Sequence, residues 1–372
     1  MAERSDERNL RDEQNQLGKE RMLALTEPLL AWYAANARQL PWRESPDAYR
    51  VWISEIMLQQ TRVEAVKPYY EKFLLACPHP AALAVMEEDS LMKLWEGLGY
   101  YSRARNLKKA AAVLCEKFGG ELPKSYEELL TLPGIGSYTA GAIASIAYGI
   151  AVPAVDGNVL RVLSRVLLRD ADVSKPETKR EAERLLRAVM PTDRAGAYNQ
   201  ALMELGAMVC IPNGAPRCDV CPLASLCLAC QKKVQSEFPV KTAKKARRQE
   251  ERTVLLLRDA KGLLLHKRAK KGLLSGLYEL PNFLGHLTEE ELLSEIGLDR
   301  KGANVTALPA AKHIFSHLEW QLAGYLVWVE DMQQTLLFLG GEKKQYFCVS
   351  KEELESRYGL PSAFLAYREW MQ

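Results

Sequence analysis

The stretch LTLPGIGSYTAGAIAS, residues 130–145, decides the reading of the fold. Pro133 ends one helix, Gly134 and Gly136 allow a tight turn with unobstructed backbone N–H groups, and Ser137 can cap a following helix. Such a turn presents helix-terminal amides to an anion. A Pro-Gly-x-Gly turn alone is commonplace, so its weight comes from its surroundings. Apolar residues recur at three- and four-residue spacing in 25–33, 51–73, 107–118, 139–147, 159–167 and 197–209, punctuated by Gly and Pro. An all-helical domain over residues 21–230 follows, preceded by a charged tail over residues 1–20.

Beyond the helical region the pattern changes. QKKVQSEFPVKTAKKARRQE, residues 231–250, is a basic segment without apolar periodicity. It suits a linker, either a solvated tether or a contact for phosphate. TVLLLRD, GLLLHKR, LAGYLVWVE and QYFCVS then read as strands, and EEELLSEIGL and SKEELESRYG as helices. A second domain of mixed α+β type therefore spans residues 251–372.

The 372 residues suit two domains, and 48% hydrophobic with 26% charged residues is ordinary globular usage, which excludes a disordered chain. The net charge of +3 means that a polyanion must be met by locally concentrated basic groups. Apolar stretches such as 140–155 are too short or too interrupted to span a bilayer, and the charged N-terminus lacks the apolar core of a secretory signal. An intracellular protein without a membrane partner is expected.

Five of the 8 cysteines crowd into one segment. The spacing Cys210-x7-Cys218-x2-Cys221-x5-Cys227 offers four thiolates in a compact loop, for zinc or for an iron–sulfur cluster, and spacing alone leaves the metal open. Cys230 is surplus to four ligands and is assigned no role.

A helical domain closed by such a loop resembles the endonuclease III and MutY group of DNA repair glycosylases. The resemblance implies a [4Fe–4S] cluster on Cys210, Cys218, Cys221 and Cys227. The usual first interval in that group is shorter by one residue than IPNGAPR makes it here. In the same resemblance, 130–145 is a helix-hairpin-helix that grips the DNA backbone, with Gly134 and Gly136 at the phosphate.

Asp156, in VDGNVLRV, stands where it would cap the next helix. Resemblance gives it a further role, stabilising the sugar cation left when a base departs. Relatives that also cut the strand carry a Lys just inside the helix after the hairpin, whose amine forms a Schiff base with the sugar. Here that position is Tyr138, and a phenol cannot form the adduct, which implies base removal with little or no lyase step.

PWRESPDAYRVWISEIMLQQTRVEAV, residues 41–66, resembles the MutY signature. Its Glu55 lies among Trp52, Ile53, Ile56, Met57 and Leu58, where desolvation raises a carboxyl pKa and favours a protonated acid. Adenine leaves poorly as an anion and better once its N7 is protonated. By the same resemblance Trp42, Arg43, Leu58 and Gln200 form the base pocket, while Tyr138 and Asn158 orient Asp156 or the attacking water. Gln60, Thr61 and Tyr100 contact DNA, with Gln60 and Tyr100 wedged beside the partner base.

KGLLSGLYELPNF resembles the opening of a Nudix-like domain. Its box is degraded: Glu290 stands where the metal-site Arg belongs and Ser294 where one of the paired Glu belongs, so the domain is expected to read rather than to hydrolyse. HIFSHLEW supplies Phe315, Ser316 and His317, which resemble the motif reading 8-oxoguanine in MutY C-terminal domains; a buried strand His is the plain alternative.

The resemblance thus implies a monomeric glycosylase that removes adenine opposite 8-oxoguanine or guanine in duplex DNA, with Glu55 as acid and Asp156 facing the sugar. It would act on DNA inside the cell, which for a bacterial source means the cytoplasm or nucleoid. Rival readings are a pyrimidine-lesion glycosylase with lyase activity, a silent lesion-binding protein and a Nudix pyrophosphatase. Tyr138 opposes the first, Glu55 with Asp156 the second, and the degraded box the third.

Overall fold

The computed structural model describes residues 2–243, 246–339 and 346–371, with side chains from residue 16 onward. Lys244 and Lys245 of the expected linker, Gln345 of the last expected strand and the side chains of 1–15 lie outside the described residues. Two compact units form, one from residues 1–84 with 106–243 and one from 85–105 with 244–372.

The first unit is helical. Its elements are α1 (Ala2–Asn36), α2 (Pro41–Glu44), α3 (Ala48–Leu58) and α4 (Val63–Ala76), then α5 (Pro80–Val85) at the chain's exit, with α6 (Glu88–Leu94) and the start of α7 (Ser102–Lys117) in the second unit. It resumes with the rest of α7, α8 (Tyr126–Leu130), α9 (Ser137–Tyr148), α10 (Gly157–Leu167), α11 (Pro176–Val189), α12 (Ala195–Met208) and α13 (Leu228–Lys232). Met22, Leu25 and Leu29 of α1 pack in one core with Val159, Val162 and Leu163 of α10, Leu186 of α11 and Leu202 of α12. Their three- and four-residue spacing places them on single helix faces, which is why they converge.

Several sequence expectations change. Residues 2–20 of the charged segment are the beginning of α1, which runs unbroken into its buried half. The periodic run 51–73 is two helices, broken at Gln60, whose φ of 59° leaves the helical region. No Gly or Pro marks this break. Ser137 does not cap α9; Gly136 is the N-cap residue, and the Ser137 hydroxyl donates instead to Glu183 at 2.8 Å. The expected linker 231–250 contains the end of α13, a short 3-10 turn at Gln235–Glu237 and the start of the first strand.

The largest difference is that residues 85–105 pack with the C-terminal unit rather than the helical one. The cause is a set of polar anchors. Lys267 and the Tyr278 hydroxyl both donate to Asp89, Lys93 donates to the carbonyls of Leu354 and Tyr358, and the Glu96 carboxylate accepts from the Leu360 N–H. No periodicity rule sees contacts made across such sequence separations.

The second unit has β1 (Arg248–Arg258), β2 (Leu263–Lys267), β3 (Tyr278–Glu279), β4 (Asn282–Leu284), β5 (Asn304–Ile314), β6 (Leu318–Trp328) and β7 (Tyr346–Val349), with α14 (Glu289–Glu295), α15 (Gln333–Phe338) and α16 (Lys351–Ser356). Among the described residues these strands form one sheet in the order β3-β2-β1-β6-β5, with β4 added on β1 and β7 on β2. β1 and β6 run parallel while β5 and β6 form an antiparallel hairpin. Val254 and Leu256 face a core with Trp320, Phe364 and Tyr367; Leu255 and Leu257 face another with Leu292, Leu293 and Met332. Covering on both faces explains the unbroken apolar run of β1. The β5–β6 ladder shifts register between Leu308 and Ala311, where Pro309 supplies no N–H.

Candidate active site and cysteine loop

Glu55 lies on the last turns of α3, buried at 6% exposure. Tyr138, in the first turn of α9, donates a short hydrogen bond from its hydroxyl to Glu55 Oε2, and the same hydroxyl lies 3.2 Å from Met203 Sδ. Burial pushes the Glu55 carboxyl up to about 7, aided by the negative charge of Asp156 and opposed by the Tyr138 hydrogen bond and Arg43. A carboxyl held there carries a proton near neutrality and can give it up. Burial and the carboxylates of Glu55 and Asp156 drive the Tyr138 phenol well above its ordinary value, so it stays a neutral donor.

Asp156 does cap α10: its Oδ1 accepts the Val159 N–H at 2.8 Å, and its Oδ2 accepts Asn158 Nδ2 at 2.7 Å. Burial raises its pKa, and these hydrogen bonds offset only part of the rise. The cap fixes a carboxylate at the mouth of a helix, so the structural role and the one implied by resemblance use the same atoms.

Asn158 is held in turn by Arg161, whose Nη2 donates to Asn158 Oδ1 at 2.8 Å and to the Gly206 carbonyl at 2.7 Å, while its Nε donates to the Cys210 carbonyl at 2.7 Å. A Cβ on Gly206 would stand 2.5 Å from Asn158 Cβ, so only glycine lets α12 approach α10 this closely. Asn199, buried on α12, receives the Ala154 N–H and donates to the Val152 carbonyl and Ser145 hydroxyl, fixing the segment that leads into Asp156.

Arg43 is gripped from below by Glu204. Its Nη2 lies 2.8 Å from Glu204 Oε2, Arg38 Nε lies 2.7 Å from Oε1, and the Arg43 guanidinium sits 5.6 Å above the Tyr33 ring. Burial pushes Glu204 up, but the hydrogen bonds from Arg38 and Arg43 outweigh it and hold the carboxyl at about 2. Sequence reasoning missed Glu204, Arg38, Arg161 and Asn199. Glu204 carried the same signal as Glu55, an acid inside an apolar helix; the other three carried none. Trp42 is buried edge-on against Tyr70 at 5.4 Å, Leu58 is half-buried at the end of α3, and Gln200 bonds back to the Gly196 carbonyl at 3.3 Å.

The hairpin turn between α8 and α9 exposes Gly134 and Gly136. Gly134 has a φ of 79°, and a Cβ there would stand 2.7 Å from Asn106 Cβ, so glycine is required twice over. Gln60 is exposed at the α3–α4 break, followed by Thr61, whose hydroxyl donates to the Gln59 carbonyl at 3.4 Å.

Tyr100, expected like Gln60 to wedge beside the partner base, belongs to the second unit. It is 46% exposed with a φ of 45°, and its hydroxyl lies 3.2 Å from Ser316 Oγ. Phe315, Ser316 and His317 form the turn joining β5 to β6, closed by the Phe315 N–H donating to the Leu318 carbonyl at 2.8 Å. Ser316 and His317 are exposed while the Phe315 ring packs on Trp320 at 4.9 Å. His317 is therefore at a hairpin tip and not a buried strand residue.

Cys210, Cys218, Cys221 and Cys227 line one cavity. The longer first interval is absorbed in an exposed turn at Gly214, and Arg217 N–H donates to the Val209 carbonyl at 3.0 Å to bring the chain back. Each of the four sulfurs receives an N–H donor: Arg165 Nη1 to Cys210 at 3.2 Å, Gln235 Nε2 to Cys218 at 3.5 Å, the Leu223 amide to Cys221, and the Ala229 and Cys230 amides to Cys227. Among the described residues no three such side chains converge closely enough for a single metal ion. Four thiols around a cavity, each with an N–H donor, fit a thiolate-bound group with a core larger than one ion.

Residues 53–188 match the HhH-GPD superfamily of base excision DNA repair proteins, and residues 253–369 match the NUDIX domain family. The helical unit with its hairpin, capped Asp156 and buried Glu55 is thus a helix-hairpin-helix domain joined to a Nudix-like one. The chain is 33% identical over 302 residues to the adenine DNA glycosylase of Buchnera aphidicola from Schizaphis graminum, covering 80% of this chain and 86% of that protein. It is 36% identical over 354 residues to the human adenine DNA glycosylase, covering 78% of this chain and 64% of that protein. The chain belongs to the adenine DNA glycosylase family.

Among solved structures it is similar to a thermostable thymine-DNA glycosylase, at 27% identity and a TM-score of 0.52 over 57% of this chain and 98% of that one. Endonuclease III in a non-covalent DNA complex shares the fold, at 24% identity and a TM-score of 0.51 over 58% of this chain and 98% of that one. No helix among the described residues is long and apolar enough to cross a membrane.

Proposed function

We propose that the protein is a monofunctional glycosylase that removes adenine mispaired with 8-oxoguanine or guanine in duplex DNA. The observation that carries this reading is the pair of buried carboxyls, Glu55 bonded to the Tyr138 hydroxyl and protonated near neutrality, and Asp156 fixed at a helix mouth. The exposed hairpin amides around Gly134 and Gly136 hold backbone phosphate, and Gln60 and Thr61 at the α3–α4 break contact the strand. Adenine leaves the stack for a pocket formed by Trp42, Arg43, Leu58 and Gln200. Arg43 enters it already oriented by Glu204.

Glu55 transfers its proton to adenine N7, so the base departs neutral as the glycosidic bond breaks. The Asp156 carboxylate, held by Asn158 and the Val159 amide, faces the positive charge that develops on the sugar. Tyr138 and Asn158 orient these two groups and the water that completes the hydrolysis. With a phenol at Tyr138 in place of an amine, no Schiff base forms there.

Cys210, Cys218, Cys221 and Cys227 hold a [4Fe–4S] cluster, which when bound ties the loop into one covalent unit. The Phe315–Ser316–His317 tip reads the base opposite adenine, with Tyr100 beside it. The enzyme acts as a monomer on DNA inside the cell.

Adenine release measured on duplexes with 8-oxoguanine, guanine, cytosine or thymine opposite tests the proposal. Release opposite the first two, without strand scission in the absence of alkali, is expected. Release of a pyrimidine instead, or strand cutting that keeps pace with base loss, would refute it. Asp156→Asn should bind such a duplex and fail to release adenine.

A further inference from the structure

The loop carries five thiols, and a cubane takes four. Cys230 sits on α13, and its side chain lines the same cavity as the other four cysteines. Its Sγ shares a hydrogen bond with Cys218 Sγ, while its backbone N–H donates to Cys227.

The two differ in how they are held. Cys218 opens a short 3-10 turn, Cys218–Val220, between exposed Arg217 and exposed Asp219 and Val220. Cys230 lies on a helix beside Ala229, which is fully buried in the core that contains α10 and α12. The ligand on the exposed arm thus has a neighbour of the same chemistry on a firmer element.

We propose that Cys230 is a resident replacement ligand that exchanges with Cys218 at one iron and takes its place when Cys218 is lost. In the exchange the bond from Cys218 sulfur to iron breaks and one from Cys230 sulfur forms. The Cys230 proton passes along the shared hydrogen bond to the Cys218 sulfur; no electron moves and the iron keeps its charge state. The inference rests on the iron–sulfur reading of the loop.

Iron and acid-labile sulfide content with visible absorption of the full chain test it. Cys230→Ala should keep the wild-type content, and Cys218→Ala should keep at least half. Cys221→Ala and the Cys218→Ala/Cys230→Ala double variant should lose nearly all. A Cys218→Ala protein as empty as the double variant overturns the inference, whether through ligand loss or failure to fold.

Alkylation of the unmutated protein, mapped by mass spectrometry, gives a second readout. Label on Cys218 or on Cys230 but not on both in one molecule, with Cys210, Cys221 and Cys227 protected, is expected. Label confined to Cys230 makes it a bystander and overturns the inference. Wild-type protein devoid of iron and sulfide overturns the cofactor reading itself, and the exchange with it.

Discussion

Glu55 on α3 and Glu204 on α12 are glutamates of the same helical unit, 6% and 1% exposed, each set in an apolar helix. Burial pushes both carboxyls up. The difference lies in their partners: a phenol hydrogen bond and the more distant charge of Asp156 for Glu55, two hydrogen-bonded guanidinium groups for Glu204. The first is held at about 7 and the second at about 2, so one can carry a proton near neutrality and the other stays an anion that holds Arg43. Burial alone therefore does not make an acid, and a buried Glu in a sequence is a catalytic candidate only once its cationic partners are known.

The largest expected effect breaks the acid. Glu55→Gln keeps the shape and the Tyr138 hydrogen bond but carries no transferable proton, and single-turnover adenine release should fall by about 10²–10⁴-fold. Release near the wild-type rate would remove Glu55 from the mechanism. Breaking the anion has another signature. Glu204→Gln leaves Arg38 and Arg43 without a counter-charge and should destabilise the fold by roughly 3 kcal/mol, read by denaturant unfolding. Simultaneous Arg38→Met should recover part of the loss, and an unchanged midpoint in Glu204→Gln would show that the pair contributes nothing.

The two carboxyls also pull stability in opposite directions with pH. Glu204, held below its unfolded value near 4.5, contributes stability that is present above that value and is lost as pH falls toward about 2. Glu55, held above its unfolded value, contributes stability present at acid pH that is lost as pH rises from near 4.5 through about 7. Unfolding midpoints of wild type against each Gln variant across that range separate the two. The same sign in both windows would contradict the assignment.

The smallest expected effect lies at the hairpin tip of the second unit. Ser316→Ala removes one hydroxyl, together with its contact to Tyr100, and should cost about 1 kcal/mol of preference for 8-oxoguanine over guanine while adenine release opposite guanine persists. An unchanged preference would separate Ser316 from the reading step.

Much of the fold was legible because local chemistry announced it. The Gly134–Gly136 turn, the Asp156 cap and the four-cysteine loop each have a short-range signature, and the doubly covered β1 shows as an unbroken apolar run. What escaped depends on distant partners. Arg38 and Glu204 meet across 166 residues of sequence, and segment 85–105 belongs with the second unit through Asp89, Lys93 and Glu96. The break at Gln60 was hidden because the apolar rhythm continues across it and neither Gly nor Pro interrupts. Cys230 falls outside the four-ligand spacing, and its place on the cavity wall follows from the fold of α13, not from that spacing.

The pH dependence of single-turnover adenine release from an adenine:8-oxoguanine duplex tests whether Glu55 gives the proton. With Glu55 held at about 7 as the proton donor, the rate should be level below that pH and fall tenfold for each unit above it. A rate that stays level well above neutrality would contradict the account.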